Sequence, residues 1–113
     1  MRYVLIHVVD GDVELGAAGP AQVHADSGIW LEEMISRGVS QYGGRLRPAG
    51  DATTVRVRRG EVLIADGPFA ETKEQVAGFD VIECADLGTA LDVAARHPAA
   101  RLGGIEVRPL WAS

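Results

Sequence analysis

Two residues of this chain, His24 and Asp66, are of the types that acid–base catalysis most often uses. A histidine titrates near neutral pH and can remove a proton, and a nearby carboxylate can orient the ring or stabilise the imidazolium. We therefore predict that His24 acts as a base with Asp66 as its partner. A structural interpretation stays open for both: His24 as a hydrogen-bonded packing residue, and Asp66 as an Asx-turn that shapes its loop.

Five further polar residues are candidates for binding a substrate. Arg56 and Arg58 alternate along one face of a strand pattern and could hold a carboxylate by paired hydrogen bonds. His7 and Asp80 are single polar residues in largely apolar strands, and Glu106 belongs to the last strand pattern. If these faces coincide, the side of the sheet away from the helices is a charged cavity. For the two arginines, simple solvation on an edge hairpin is an equal alternative.

The most distinctive stretch, residues 66–74, has the sequence DGPFAETKE. Gly67 and Pro68 form a turn, and because Pro68 fixes φ, Phe69 is expected to turn back into the core. Glu71 and Lys73 follow as alternating charges. A structural interpretation of this segment also stays open: it can be read as an architectural element that ties a hairpin to the sheet or to another subunit.

The composition limits the class of protein. A chain of 113 residues with 47% hydrophobic content indicates one domain, residues 1–113. The net charge of −5 argues against a nucleic-acid partner. The single cysteine, Cys84, cannot form an internal disulfide, and no second Cys or paired His stands at metal-ligand spacing, so we expect neither a metal nor a cofactor. No signal peptide or membrane span is evident, which predicts a cytoplasmic protein.

Hydrophobic periodicity predicts the elements that position these residues. Strands are predicted at residues 3–9, 39–46, 76–84 and 105–109, and a hairpin at residues 53–58 and 61–65. Helices are predicted at residues 20–37 and from Leu87 to Ala95, the second capped by Asp86 and ended by Pro98. Gly43-Gly44 indicates a bulge or a close approach by another group. The apolar arc predicted for the first helix comprises Val23, Ser27, Trp30, Leu31, Met34 and Ile35, with His24 near its edge.

This order of elements predicts a ferredoxin-like α+β sandwich with an inserted hairpin. Two helices cover one face of an antiparallel sheet, so the other face must be wet or paired with another copy. Leu110 and Trp111 add apolar surface near the C-terminus. We therefore expect a symmetric homodimer.

Residues 66–74, Gly78-Phe79, the helix end at residues 94–98 and the strand at residues 105–109 together resemble the DGPF-type branch of the YCII-related family. The resemblance runs from about Thr53 to the C-terminus. It implies a ferredoxin-like fold that dimerises into an α-β barrel, with a His and an Asp doing acid–base work on small organic molecules. It also implies a possible association with extracytoplasmic-function sigma factors. Asp80 stands where the family pattern has an aromatic or apolar residue.

Two functions follow from these observations. The first is a cofactor-independent isomerase, lyase or dehydrohalogenase that acts on a small anionic or carbonyl compound through a His–Asp pair. The alternative is a non-catalytic dimer that binds a small molecule or regulates an extracytoplasmic-function sigma factor. The fold does not choose between them.

Overall fold

Six strands and three helices make up the part of the chain that the computed structural model describes, residues 1–10, 19–70, 72 and 74–112. Their bounds are β1 Arg2–Asp10, α1 Gly19–Ser36, β2 Ser40–Arg45, β3 Thr53–Arg58, β4 Glu61–Asp66, β5 Glu74–Glu83, α2 Leu87–Ala95, α3 Ala99–Leu102 and β6 Gly103–Pro109. A single turn of 3-10 helix at Ala49–Asp51 joins β2 to β3.

Four strands form one antiparallel sheet in the order β2-β5-β1-β6. Each of the two β-α-β units places its strands on either side of a strand from the other unit, which is the ferredoxin-like arrangement. The predicted ferredoxin-like fold is therefore confirmed. The central strand β1 is the most apolar in sequence, as expected for a strand with neighbours on both edges.

The core lies between this sheet and the helices. Leu5 of β1 and Ile82 of β5 are fully buried, and Trp30, Met34 and Val93 pack over them from the helical layer. The indole Nε1 of Trp30 donates a hydrogen bond to the carbonyl oxygen of Val93 at 2.9 Å, which joins α1 to α2. A buried indole N–H normally has such a partner, because leaving it unpaired is costly.

The helix ends follow the sequence signals in most respects. The side chain of Asp86 caps α2 by accepting a hydrogen bond from the backbone N–H of Thr89 at 2.8 Å, as predicted. Pro98 does more than end α2, because it also begins the short helix α3, and the first turn of a helix tolerates proline well. In α1 the predicted apolar arc is too wide, since Ile35 is 59% exposed.

Among the described residues, no helix packs against the opposite face of the sheet, as predicted. Its apolar residues are at least partly exposed and comprise Val4, Ile6, Val8, Tyr42, Val76, Phe79 and Val81. The register places Glu106 on the same face, because it pairs directly with Ile6. We call this the uncovered sheet face. It is mainly aliphatic and aromatic, so the predicted charged cavity on this side of the sheet is wrong.

The predicted hairpin is also present, as a separate two-stranded sheet of β3 and β4. Arg59 and Gly60 connect the strands with positive φ angles of 53° and 77°. This is the backbone geometry that a two-residue hairpin loop needs, and glycine adopts it without strain. We call the hairpin, Thr53 to Asp66, the arm.

Candidate functional site

Three ionisable side chains from distant parts of the chain meet beneath the helical layer: His7 of β1, Asp80 of β5 and His97 between α2 and α3. One potential ligand atom of each lies within 4.8 Å of the other two. Asp80 and His97 are buried, and the side chain of His7 keeps 13% of its surface exposed. We call this group the His7–Asp80–His97 cluster.

The pairing of strands explains why His7 and Asp80 lie on the helix side. His7 follows Leu5 by two residues, so both side chains point toward the core, and Asp80 pairs directly with Leu5. The predicted placement of both polar residues on the opposite face of the sheet is therefore wrong. Ala77 forms a bulge on β5 opposite the step from His7 to Val8, a feature that often redirects side chains beside functional sites.

The closest contact in the cluster is between His7 and Asp80. His7 Nε2 lies 2.8 Å from Asp80 Oδ2, which is the distance of a short ion pair. The Nε2–H bond is not aligned with the carboxylate well enough to count as a hydrogen bond, so Nε2 has no hydrogen-bond partner among the described residues.

Two glycines make room for this pair. A Cβ on Gly43 would lie 2.2 Å from Asp80 Oδ1, so no side chain fits beside the carboxylate. A Cβ on Gly78 would lie 2.9 Å from the carbonyl oxygen of Gly44 and 3.3 Å from His7 Nδ1. The predicted close approach at Gly43-Gly44 is therefore confirmed, and the approaching group is the carboxylate of Asp80.

His97 is held as a neutral imidazole. Burial lowers its pKa to about 4, and the charge of His7 acts in the same direction while Asp80 opposes it. The backbone N–H of Ala99 donates to His97 Nδ1 at 3.0 Å, so the ring proton lies on Nε2. The centroids of the His97 and His7 rings lie 4.2 Å apart, and the His97 ring also makes an edge-on contact with the indole of Trp30.

The cluster has the residue types of a two-histidine, one-carboxylate metal site. It is the one group of three potential metal ligands found among the described residues. The tautomer of His97 argues against metal binding. A ligating nitrogen needs a free lone pair, but the Nδ1 lone pair of His97 accepts the Ala99 N–H and Nε2 carries the proton. In the part of the chain that the structure describes, His7 and Asp80 then remain as ligands of this cluster, which is too few for a tight site.

The predicted catalytic residues His24 and Asp66 lie elsewhere. His24 is exposed on α1, and Asp66 is exposed at the end of β4, where it pairs with Thr53. Within the described part of the chain, no hydrogen bond or ion pair joins them. The pairing of His24 with Asp66 in catalysis stays a prediction. Both side chains are exposed, so another molecule can reach each of them.

The predicted substrate-binding arginines belong to the arm. The guanidinium of Arg56 stacks over the ring of Phe69, 4.3 Å from its centroid, in a cation–π contact. Arg58 is exposed and donates to the carbonyl oxygen of its neighbour Val57. Glu106 forms an ion pair with Arg108 on β6. None of these three candidates contacts the His7–Asp80–His97 cluster.

The loop after β4 is built by backbone contacts. Gly67 has a positive φ of 98°, and its N–H donates to the carbonyl oxygen of Ala52 at 2.7 Å, so this amide does not form the predicted Asx-turn with Asp66. Phe69 is 73% exposed, and the prediction that it enters the core is wrong. Its ring packs on Arg56 instead. Glu71 and Lys73 lie outside the described residues.

Two surface hollows of about 430 and 610 Å³ flank this loop. Both are lined by Ala49, Pro68, Thr72 and Gln75, and the larger also by Phe69. Neither is lined by a residue of the His7–Asp80–His97 cluster. We assign the candidate site to the cluster, because a buried base–carboxylate pair is the rarer feature and the hollows are open to solvent.

His97 is not among the predicted site residues, although its position in the sequence carried a signal. His97 follows the buried Val93 by four residues and Ala94 by three, so it continues the buried stripe of α2. A histidine at the end of a core stripe is a candidate for a buried polar contact. Its partner in space, His7, is remote in sequence.

The fold and the cluster together define a class: ferredoxin-like α+β proteins with a buried histidine–carboxylate pair. The profile of the YCII-related domain matches residues 1–112. The chain belongs to the YCII-related family, as its motifs indicated.

One sequence relative and one solved structure are similar to this chain. An uncharacterised protein of Rhizobium meliloti (strain 1021) is 52% identical over 68 residues, which cover 58% of this chain and 55% of that protein. The match therefore spans about half of the relative's length. A solved structure, the 5-chloro-2-hydroxyhydroquinone dehydrochlorinase TftG of Burkholderia phenoliruptrix AC1100 in complex with 2,5-dihydroxybenzoquinone, superposes with a TM-score of 0.57 at 14% identity. The alignment covers 100% of this chain and 96% of that one, and it shows a shared fold.

Among the described residues, none of the helices combines the length and apolar character needed to span a lipid bilayer.

Proposed function

We propose that this protein is a cofactor-independent acid–base enzyme that moves a proton on a small oxygen-containing organic molecule. The approach of His7 Nε2 to Asp80 Oδ2 at 2.8 Å carries the proposal. An imidazole beside a carboxylate, both shielded from water, is the arrangement that general-base catalysis uses. Membership of the YCII-related family and a fold shared with a dehydrochlorinase fit a small-molecule-processing enzyme.

His7 is the base in this proposal. Its Nε2 faces Asp80, so Nδ1 is the nitrogen that takes a proton from a carbon or hydroxyl of the substrate. The substrate becomes an enolate or phenolate, and His7 becomes an imidazolium whose charge is offset by the Asp80 carboxylate. The proton then returns to a different atom in an isomerisation, or the anion expels a leaving group in an elimination.

His97 supplies a hydrogen-bond donor. Because its Nδ1 accepts the Ala99 N–H, its ring proton lies on Nε2, where it can donate to the oxyanion that forms on the substrate. A neutral imidazole is well suited to this role, because it donates without placing a second positive charge beside the protonated His7. The lowered pKa of His97 keeps it neutral at physiological pH.

The predicted pair of His24 and Asp66 offers a second version of the same function. Both residues are exposed, so they would act on a substrate at the surface or across a subunit contact. The two versions differ in which histidine is essential. They can therefore be separated by substitution of one residue at a time.

The experiment uses 2,5-dihydroxybenzoquinone as a probe, because its ring carbons exchange protons with solvent through the keto tautomer: a ring carbon takes a deuteron, and the CHD group that forms then loses its proton to a base. Wild-type protein in D₂O is expected to accelerate the loss of the ring-proton NMR signal. His7→Asn and Asp80→Asn are each expected to slow this exchange by about 10²-fold or more. Asp92→Asn removes an exposed carboxylate of α2 and is the matched control, expected to leave the rate unchanged.

Three results would overturn the assignment. Exchange at the wild-type rate in the His7→Asn variant would remove His7 as the base. Loss of exchange in His24→Asn or Asp66→Asn alone would support the surface pair instead. Binding of the probe without any acceleration of exchange would favour the non-catalytic alternative, a small-molecule-binding or regulatory protein.

A further inference from the structure

Arg45, the last residue of β2, lies in the same row of the sheet as the proposed base His7. Gly78 of β5 pairs with Arg45 on one side and with His7 on the other, so the three residues stand side by side across three strands. Directly paired residues of an antiparallel sheet direct their side chains to the same face. Arg45 therefore extends from the helix side of the sheet, as His7 does.

Gly78 places no side chain between the other two residues. A Cβ on Gly78 would lie 3.3 Å from His7 Nδ1 and 3.5 Å from the Cα of Arg45. Nδ1, the nitrogen proposed to take the proton, thus faces the strand that separates His7 from Arg45. Neighbouring strands are about 4.8 Å apart, so the Cα atoms of His7 and Arg45 are separated by roughly 10 Å. A small molecule can contact both side chains across such a distance.

The backbone of Arg45 is fixed, whereas its side chain is available to a ligand. The N–H of the next residue, Leu46, donates to the carbonyl oxygen of Ala77 at 2.9 Å, so β2 stays bound to β5 up to its end. The side chain of Arg45 is exposed, and none of the hydrogen bonds or ion pairs among the described residues involves its guanidinium. Arg47, by contrast, pairs with Asp51 at 2.9 Å.

The charges of the His7–Asp80–His97 cluster explain what a cation contributes at this position. While His7 is neutral and ready to take a proton, the carboxylate of Asp80 gives the cluster a net negative charge, because His97 is neutral as well. A negative charge shielded from water repels an anionic substrate. The guanidinium of Arg45 offsets this repulsion, and it can hold two neighbouring oxygens through parallel hydrogen bonds.

We infer that Arg45 binds the substrate, and that the substrate is a small organic anion with two neighbouring oxygens, such as a carboxylate or an ionised hydroxyquinone. The anionic group lies beside Arg45 at the exposed edge of the sheet, and the reacting carbon lies at His7 Nδ1. Gly78 is buried, so binding requires the side chains above it to move, and an exposed arginine without a described partner moves readily. The role of His7 rests on the proposed function, whereas recognition of the anion is measurable by binding alone.

Substitution of Arg45 tests the inference by equilibrium dialysis. The probe is 2,5-dihydroxybenzoquinone, whose hydroxyls are vinylogous carboxylic acids and are ionised at neutral pH. Arg45→Gln is expected to raise the Kd of the probe by about 10–100-fold, because hydrogen bonds to a charged group are lost. Arg45→Lys keeps the charge without the paired donors, so its Kd should lie between those of wild type and Arg45→Gln. Arg37→Gln removes an exposed positive charge beyond the end of α1 and is the matched control, expected to bind as wild type does.

A neutral analogue tests the class of substrate. 2,5-Dimethoxybenzoquinone has the same ring and the same oxygens but cannot ionise. Wild type is expected to bind it at least about 10-fold more weakly than the anionic probe, and Arg45→Gln is expected to bind the two quinones with similar Kd values.

Kinetics separates a binding role of Arg45 from a merely structural one. In the D₂O exchange assay, Arg45→Gln should raise KM about as much as Kd and leave kcat nearly unchanged, because Arg45 holds the substrate while His7 takes the proton. An unchanged Kd in Arg45→Gln would overturn the inference and leave His7 as the base. Equal binding of the two quinones by wild type, or no binding of the anion, would also overturn it. Weaker binding of the anion by Arg45→Gln, with no exchange in wild type, would support the anion site and overturn the proposed proton transfer instead.

Discussion

The carboxylate of Asp80 occupies the space that a side chain on Gly43 would need. Gly43 of β2 and Asp80 of β5 are direct partners in the sheet, and a Cβ on Gly43 would lie 2.2 Å from Asp80 Oδ1 and 2.7 Å from the carbonyl oxygen of Phe79. Heavy atoms cannot approach so closely. The absence of a side chain at Gly43 therefore leaves the room that the carboxylate occupies beside His7, which links one glycine to the geometry of the candidate site.

The first prediction is that Gly43→Ala both destabilises the protein and disturbs the cluster. Relief of the overlap requires Asp80 or the β2 backbone to move, with an expected loss of about 1–3 kcal/mol in the free energy of unfolding. Urea denaturation measures this loss. Gly44→Ala is the matched control, because its Cβ would lie at an ordinary 3.8 Å from Phe79 Cε1 on the other face. Equal stability of the two variants would contradict the prediction.

The second prediction concerns His97 and acid stability. Its pKa is lowered to about 4 in the folded chain and is about 6.5 when unfolded. Between these values the unfolded chain binds a proton that the folded chain does not. The free energy of unfolding should therefore fall as the pH is lowered from 6.5 to 4, by at most about 3 kcal/mol, and this group should have no effect at higher pH.

His97→Asn isolates this contribution. The asparagine Oδ1 can still accept the N–H of Ala99, but the side chain does not titrate. The difference in unfolding free energy between wild type and variant should therefore change with pH between about 4 and 6.5 and be constant above. The pKa of Glu83 is lowered by the N-terminal amine and that of Asp86 by Thr89, so their contributions are lost only at lower pH. A constant difference at every pH would contradict the assignment.

Periodicity predicted the elements well because each depends on a local pattern. Alternation in β3 and the spacing of Ala90 and Ala94 in α2 reflect which face is buried, and Asp86 and Gly60 are local signals for a cap and a turn. The fold class follows from the order of these elements. Even the uncovered sheet face was predictable, since two helices cannot cover both sides of a sheet.

The site was harder to predict because its members are far apart in sequence. His7, Asp80 and His97 meet only through the pairing of β1 with β5 and the docking of α2, and the bulge at Ala77 changes the register beside them. His24 and Asp66 were selected for their residue types and local context, which say nothing about a partner in space. The alternation of side chains along β1 did indicate the placement of His7. His7 lies on the same face of the strand as Tyr3 and Leu5, which are buried.

The third prediction is that His7 and Asp80 are energetically coupled. A double-mutant cycle with His7→Asn, Asp80→Asn and the double variant should give a coupling of about 0.5–3 kcal/mol in the free energy of unfolding, because either single substitution leaves a buried polar group without its partner. The cycle measures stability, so it needs no substrate. A parallel cycle that pairs His7→Asn with Asp92→Asn should give a coupling near zero, since Asp92 is exposed on α2. Equal coupling in the two cycles would mean that the 2.8 Å contact between His7 Nε2 and Asp80 Oδ2 contributes no specific stabilisation. His7, the base proposed for this protein, would then lose its partner.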